Sequence, residues 1–264
     1  MNCKISIVTI CYNVANDLEK TIESVRNQTY SNVEYIVVDG GSNDNTLKVI
    51  NDNADVITKY ISEPDKGIYD AMNKGISLCS GDWVSFMNAG DEFADSQVLE
   101  HVFEGKEYVK DVKVLYGDIK LYFPDLGLVR RDYSKYTQEK IAIMICHQSS
   151  FIEGDIIRRL RYELKYKIAS DINTFYKIYK EGWSFQYLSM DIAKFEAIGG
   201  VSSKKMIALS SEIYDITGRS KFSFSWMKCW IRGFVKQLMM FVMGENRYAK
   251  YQYTRLSKKY KDYQ

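Results

Sequence analysis

Four short polar stretches recur along the first third of the chain, each directly after an apolar run. They are Thr9 to Asn13, Asp39-Gly40-Gly41-Ser42, Glu63-Pro64-Asp65-Lys66-Gly67 and Asn88-Ala89-Gly90-Asp91. Carboxylates at the ends of buried strands suit one kind of chemistry: fixing a base or ribose, and holding a hard cation against phosphate oxygens. Two more groups stand downstream, His147 in Cys146-His147-Gln148 and Asp171 in Ala169-Ser170-Asp171-Ile172. A dinucleotide fold would need G-x-G-x-x-G in the first of these turns, so that backbone amides could approach a pyrophosphate. Cys11-Tyr12-Asn13-Val14-Ala15 holds no glycine and there is no G-x-x-x-x-G-K-[ST], which argues against NAD, FAD and a P-loop.

The segments that must carry these turns alternate in type. Ile5, Ile7, Val8 and Ile10 form a brief β-branched run, followed by Asn16 and Asp17 as caps for a helix bearing Leu18, Ile22 and Val25. Val33 to Val38 predicts a strand, Asp44 to Asn53 a helix, Val56 to Ile61 a strand, Ile68 to Leu78 a helix and Trp83 to Met87 a strand. Strands alternating with helices imply right-handed crossovers, a mostly parallel twisted sheet flanked by helices, and a ligand crevice outside the strands' carboxyl ends. Beyond residue 95 the pattern reads as α+β. It predicts a helix over Gln97 to Phe103, strands at Val112 to Tyr116, Ile119 to Phe123 and Leu128 to Arg131, a helix over Ile172 to Lys180, and strands near Phe185 and Ala193.

The motifs together resemble a known family. Val8-Thr9-Ile10-Cys11-Tyr12-Asn13, Val37-Val38-Asp39-Gly40-Gly41-Ser42-Asn43-Asp44-Asn45-Thr46, Ser62-Glu63-Pro64-Asp65-Lys66-Gly67-Ile68-Tyr69-Asp70-Ala71-Met72-Asn73-Lys74-Gly75 and Phe86-Met87-Asn88-Ala89-Gly90-Asp91 stand in the order and spacing of a family 2 glycosyltransferase of the GT-A fold. The subgroup it most resembles adds single sugars to lipid-linked bacterial surface polysaccharides such as O-antigen, capsule or exopolysaccharide. The resemblance implies inverting transfer from a nucleotide sugar, usually a UDP-sugar, to a hydroxyl of a lipid-diphosphate-linked saccharide.

It also implies roles. Asp39 matches the aspartate that contacts uracil or ribose, with Thr9 and Tyr12 lining the base, Asp65 closing the nucleoside pocket, and Asn73, Lys74 and Asn88 in the nucleotide-sugar site. For Asp39 and Asp65 the alternative is a turn residue bonded to its own backbone. Asn88 to Asp91 matches the metal-binding aspartate motif, reduced here to the single carboxylate of Asp91; with Asn88 and the diphosphate it would hold Mg²⁺ or Mn²⁺, the alternative being a helix cap. Asp171 falls where the family places its base, at a helix start, where it could equally be only a cap. His147 would ligate the metal, contact the diphosphate, shape the acceptor pocket or serve as a structural donor. Glu196 precedes Gly199-Gly200-Val201-Ser202-Ser203, a composition that suits a loop closing over the donor.

At 264 residues, 46% apolar and 27% charged, the chain suits one large α/β domain and excludes disorder and a disulfide miniprotein. Five scattered cysteines suggest neither a disulfide framework nor zinc, and fit a reducing cytosol. The opening residues are expected to be a strand, not a signal peptide. The net charge of +2 hides an asymmetry: residues 221–264 hold ten Lys/Arg against two acids, leaving 26 against 32 for the rest, so the body is −6 and the tail +8. That argues against a nucleic-acid-binding core and for an anionic surface met at one end. At 100° per residue Lys221, Lys228, Arg232 and Lys236 fall within roughly an 80° arc, with Trp226 and Trp230 on a largely apolar helix. A helix lying in the membrane interface fits better than a spanning one, with a core or oligomer helix as the alternative. The expected organisation is residues 1–205 as a GT-A domain, 1–95 binding nucleotide and 96–205 binding acceptor, then a helical basic extension over 206–264. The expected place is peripheral, at the cytoplasmic face of the bacterial inner membrane, with pairing to copies of itself left open. The rivals are a non-catalytic nucleotide-sugar-binding or scaffold protein and a nucleotidyltransferase, the latter disfavoured by the lack of a glycine-rich, Arg/Lys-bearing first turn.

Overall fold

Strand β1 (Ile5–Cys11) is buried at every position and β2 (Val33–Asp39) at all but its first, so neither shows the alternation of a half-solvated strand. Both lie inside a sheet covered on two faces, where consecutive side chains enter opposite apolar layers. The computed structural model describes residues 3–198, 200, 205–221 and 223–260. Its further elements are α1 (Ala15–Arg26), α2 (Thr46–Asp52), β3 (Lys59–Ser62), α3 (Ile68–Leu78), β4 (Trp83–Phe86), β5 (Glu92–Phe93), α4 (Val98–Phe103), β6 (Val112–Phe123), β7 (Gly127–Arg131), α5 (Gln138–Ala142), a 3-10 turn (His147–Ser149), β8 (Ser150–Glu153), α6 (Gly154–Leu160), α7 (Ser170–Lys180), β9 (Ser184–Glu196), α8 (Met206–Ile216), α9 (Phe224–Met243) and α10 (Glu245–Lys259).

The sheet runs β3-β2-β1-β4-β8-β6-β9-β5, with β7 paired to β6. β1, β2, β3 and β4 are mutually parallel where they pair. Past β4 the pairing is mixed: β8 is antiparallel to β4 and β6, β9 is parallel to β6, and β5 and β7 are antiparallel to their partners. The α/β reading holds, with parallel pairing concentrated in the first half. β2 and β3 lie to one side of β1 and β4 to the other, so chain order reverses there and a crevice opens at the carboxyl ends.

Two apolar layers fix this arrangement. Val8, Ile10, Ile36 and Val38 pack with Met72 and Ile76 of α3 and Phe175 and Ile178 of α7. Ile5, Ile7, Tyr35 and Val37 pack with Leu18 and Ile22 of α1 and Phe103 of α4. Each fully buried side chain of this size contributes about 1.5–3 kcal/mol, and a one-residue slip would exchange the layers, so register is strongly specified. At the amino end of the sheet the buried Glu34 accepts hydrogen bonds from Ser6 Oγ, Ser80 Oγ and the Gly81 N–H and pairs with Lys4 at 3.0 Å. Burial raises its pKa, but these hydrogen bonds win and bring it down to about 2.

Several sequence expectations change. The helix expected after Asn16 and Asp17 starts at Ala15, so those residues lie in its first turn and cap nothing; Thr46 Oγ1 and Asp44 Oδ2 accept from the Val14 and Ala15 N–H groups instead. The third strand is only Lys59–Ser62, a largely exposed edge. The strands expected on either side of Gly117-Asp118 are one strand, β6. A Cβ on Gly117 would stand 2.5 Å from the Met190 carbonyl oxygen, so the glycine permits close approach at a bulge and does not break the strand. The segments around Phe185 and Ala193 likewise join as β9, which absorbs an irregularity at Ser189, φ 52°. The expected loop at Gly199-Gly200-Val201-Ser202-Ser203 lies outside the described residues except for Gly200.

The segment after 205 packs into the body. Glu212 of α8 accepts from the N–H groups of Lys167, Ile168 and Ala169 at 2.9, 3.0 and 2.9 Å, fixing the chain just before α7. Phe123 and Val129 at the β6–β7 hairpin are covered by Met239 and Met240 of α9 and by Tyr248 and Leu256 of α10.

Candidate active site

The β1–α1 and β2–α2 turns are tied together at the carboxyl end of the sheet. The Asn13 N–H donates to Ser42 Oγ at 2.7 Å and the Asn43 N–H to Asn13 Oδ1 at 2.8 Å, with Asn13 itself held at φ 54°. Asp39 is fully buried below them. Its Oδ2 accepts from the Ser42 N–H at 3.0 Å and Ser62 Oγ at 2.6 Å, and its Oδ1 from the Ser42 hydroxyl. These bonds include those of the turn role that the sequence left open for Asp39. Above it, a Cβ on Gly40 would meet Asp65 Oδ2 at 2.5 Å and Tyr12 Cδ2 at 3.3 Å, so Tyr12, Asp65 and Gly40 converge on one shelf. Tyr12 is 60% exposed there, a ring face open to stacking. Asp65 makes its own turn through the Gly67 N–H at 2.7 Å.

Three residues assigned to the nucleotide-sugar site are engaged elsewhere. Thr9 is buried, and its hydroxyl accepts from Tyr35 OH at 2.9 Å, because strand alternation turns it into the apolar layer. Asn73 closes a two-way bond with the backbone of Tyr162, donating to its carbonyl and accepting from its N–H, both at 2.8 Å. Lys74 reaches the Pro64 carbonyl at 2.8 Å and Glu63 at 2.9 Å. Asn73 ties α3 to Tyr162, and Lys74 ties it to the turn after β3.

The central constellation joins three segments far apart in sequence. Asp171, in the first turn of α7, lies with Oδ1 2.9 Å from Tyr69 OH, whose one proton it shares with the Ile168 carbonyl at 2.8 Å, and accepts there from the Ile172 N–H at 2.9 Å. Its Oδ2 lies 2.9 Å from His147 Nδ1, and His147 Nε2 lies 3.1 Å from Asn88 Nδ2. This partner pattern assigns the imidazole proton to Nδ1, donated to the carboxylate, with Nε2 accepting from the Asn88 amide. Burial first, and the adjoining Asp171 carboxylate next, push the Tyr69 phenol far above its ordinary pKa, so it stays protonated and donates. Asp171 Oδ2, bonded to His147 Nδ1 alone, keeps a lone pair. The sequence did not single out Tyr69, although it lies inside a recognised motif. Glu212 carried no signal at all, since its role arises only from the docking of α8.

Asn88 links the constellation to Asp91. The Asn88 N–H donates to Asp91 Oδ2 at 3.0 Å, and the Asp91 N–H returns to the Asn88 carbonyl at 2.9 Å. Burial pushes the Asp91 carboxyl up to about 6, against hydrogen bonds from Gln148 and the Asn88 N–H. Asn88 Oδ1 is buried without a partner. A carboxylate and an orphaned amide oxygen side by side fit a hard cation that takes its other ligands from phosphate and water. Among the described residues no cluster of three or more His, Cys, Asp and Glu could enclose a metal by itself. His147, expected as a ligand, has both ring nitrogens committed to Asp171 and Asn88 and leaves no lone pair for one.

Residues 6–171 match the family described as Glycosyl transferase family 2. The chain belongs to that family. An uncharacterized glycosyltransferase of Mycobacterium tuberculosis is 32% identical over 171 residues, covering 63% of this chain and 65% of the relative, just under two thirds of its length. A PGL/p-HBAD biosynthesis glycosyltransferase of Mycobacterium bovis is 28% identical over 208 residues, 75% of this chain and 78% of the relative. Among solved structures, a mannosyltransferase from Pyrobaculum calidifontis in complex with GDP-Man and Mn²⁺ aligns at TM-score 0.66 and 15% identity, covering all of this chain and 76% of its own. Staphylococcus aureus TarS 1–349 in complex with UDP aligns at 0.59 and 17%, covering 80% and 66%. The sheet order and these alignments agree with the expected GT-A fold.

The basic stripe expected on the C-terminal helix is divided. Lys221 sits in the turn before α9, 3.8 Å from Asp215, and Lys236 turns half-buried toward the body. Lys228 and Arg232 are exposed, and Trp226 is half-buried beside the cap at Ser223. The outward face is apolar: Phe224, Met227, Trp230, Ile231, Phe234, Val235, Leu238 and Phe241 are exposed, Phe241 to 87%, with Trp230 stacked on Phe234 at 5.7 Å. Among the described residues no helix is long and apolar enough to cross a membrane.

Proposed function

We propose that this family 2 chain is an inverting glycosyltransferase that moves one sugar from a UDP-sugar to a hydroxyl of a lipid-diphosphate-linked saccharide in bacterial surface polysaccharide assembly. The observation that carries the reading is Asp171, a carboxylate held by Tyr69 and His147 with a lone pair free on Oδ2, joined through His147 and Asn88 to the buried Asp91. Binding of UDP by TarS and of GDP-Man by the archaeal mannosyltransferase supports a nucleoside-diphosphate sugar as donor.

Tyr12 and Asp65 receive the nucleoside on the shelf that Asp39 supports from below. Asp91 and Asn88 Oδ1 would hold Mg²⁺ or Mn²⁺, which neutralises charge developing on the leaving diphosphate. The acceptor oxygen attacks the anomeric carbon from the face opposite the diphosphate. Its proton passes to Asp171 Oδ2 as the bond from carbon to the diphosphate oxygen breaks and the nucleoside diphosphate leaves with the electron pair. Tyr69 and His147 keep the carboxylate oriented, so little ordering remains to be done at the moment of reaction.

The apolar face of α9, flanked by Lys228 and Arg232, supports peripheral attachment to an anionic bilayer at the cytoplasmic side, where a lipid-linked acceptor would present its sugar. The test is a panel of UDP-sugars and GDP-Man with purified full-length protein, read by nucleotide release with and without a lipid-diphosphate-sugar acceptor. Acceptor-stimulated UDP release from one donor is expected. Binding without turnover of any donor would make the chain a nucleotide-sugar-binding protein instead.

A further inference from the structure

Where α9 and α10 cover the β6–β7 hairpin, the packing of three elements brings four cationic residues into one neighbourhood. Val129 belongs to an apolar cluster against which Met239, Met240, Leu256 and Tyr260 pack, and Arg131 lies two residues further on the same face of β7. Lys236 is one turn before Met240 on α9, Arg232 one turn earlier still, and Arg255 adjoins Leu256 on α10. Lys236 is half-buried, and its ammonium is shifted below its ordinary pKa first by that burial and then by Arg255, Arg131 and Arg232. None of the four has an ion-pair partner among the described residues; the one contact is the Arg131 guanidinium 5.0 Å over the Tyr133 ring. The neighbouring Arg130, on the opposite strand face, shows the usual outcome, bonded to Asp191 at 2.7 Å and Asp118 at 2.8 Å. Arg232 and Arg255 are exposed, but Arg131 and Lys236 are half-buried, and holding those two like charges together is costly unless an anion neutralises them.

The position of the cluster indicates which anion. On one side Tyr133, beneath Arg131, donates to Cys146 Sγ at 3.3 Å, and Cys146 directly precedes the His147 that holds Asp171. On the other side lies α9, whose outward residues Ile231, Phe234, Val235 and Leu238 form the exposed apolar ridge. We propose that Arg131, Arg232, Lys236 and Arg255 form a subsite for the phosphate or diphosphate that joins the acceptor saccharide to its lipid, anchoring it between the bilayer and the base. This rests on the lipid-linked acceptor of the proposed function. The chemistry recognised is a phosphoester anion, and the bulk anionic phospholipid headgroup is the competing source.

The test uses the full chain and the Arg131→Gln/Lys236→Gln double variant. Calorimetry with inorganic pyrophosphate is expected to show binding that weakens at least tenfold in the double variant. Because no donor is present, this readout stands even if no nucleotide sugar is ever turned over. Flotation with phosphatidylcholine vesicles carrying farnesyl diphosphate is expected to lose the double variant, while vesicles of phosphatidylglycerol retain it through the other basic residues of the tail. Loss from both vesicle types would assign the cluster to bulk phospholipid and overturn the acceptor subsite. Lys236→Gln alone is expected to raise the melting temperature of the free protein, since it removes an unpaired partly buried charge. A fall, with pyrophosphate binding intact, would make Lys236 structural and overturn the proposal.

Discussion

Replacing Asp91 with Asn should make the free protein more stable while weakening metal-dependent nucleotide binding. Burial raises the Asp91 carboxyl from 3.8 to about 6, so the folded state binds a proton more tightly there than the unfolded chain does. Stability from this group is therefore fully present below about pH 4 and is lost as pH rises through about 6. Two pKa units correspond to roughly 3 kcal/mol, all of it a penalty on the wild type at pH 8. An Asn keeps the carbonyl that accepts from the Asn88 N–H but carries no charge, so Asp91→Asn should gain on the order of 1–3 kcal/mol at pH 8. For a chain of this length that is a rise in Tm of roughly 2–4 °C per kcal/mol. The assay is thermal unfolding of both proteins from pH 4 to pH 8. The gap should open between about pH 4 and pH 6 and close again at the acid end. Mn²⁺ with UDP should then stabilise the wild type and leave the variant almost unmoved. A variant less stable than wild type at pH 8, or a gap that ignores pH, would show that burial of Asp91 does not carry this penalty.

Tyr69→Phe removes one donor from Asp171 without opening a cavity; kcat should fall by about tenfold with the donor KM little changed, as steady-state kinetics would show. Glu34 has its folded pKa brought down to about 2, so it contributes stability above about pH 4.5 that is lost as pH falls toward 2. Glu34→Gln should cost roughly 2–3 kcal/mol at pH 7, and urea unfolding should show the difference vanishing toward pH 2. The double variant Phe234→Ser/Phe241→Ser alters two exposed rings on α9 and should release the protein from phosphatidylglycerol vesicles in flotation while its Tm holds; unchanged flotation would remove α9 from membrane attachment.

The parallel half of the sheet was legible because β1, β2 and β4 are buried runs ending in polar turns, a pattern that depends only on local sequence. Strands β6 and β9 read as four fragments, and only their pairing shows that the irregularities at Gly117 and Ser189 are absorbed within one strand each. Asp171 and Asp91 could be found as strand-end or helix-start carboxylates. That His147 joins them, that Thr9 turns into the core, and that Asn73 and Lys74 serve as braces follow from strand facing and from contacts between segments that no spacing rule reports. The tail was amphipathic on paper, yet Lys236 turned inward because α10 and β7 supply a second surface for α9.

The claim that most needs a direct test is that Asp171 takes the proton from the acceptor. Asp171→Asn keeps the size of the side chain and its oxygen acceptor from Tyr69 but removes proton acceptance. Single-turnover transfer to a lipid-diphosphate-sugar acceptor, with UDP affinity measured in parallel, is the decisive comparison. The account requires transfer to fall by at least about a hundredfold while UDP still binds; transfer at the wild-type rate would take Asp171 out of the mechanism.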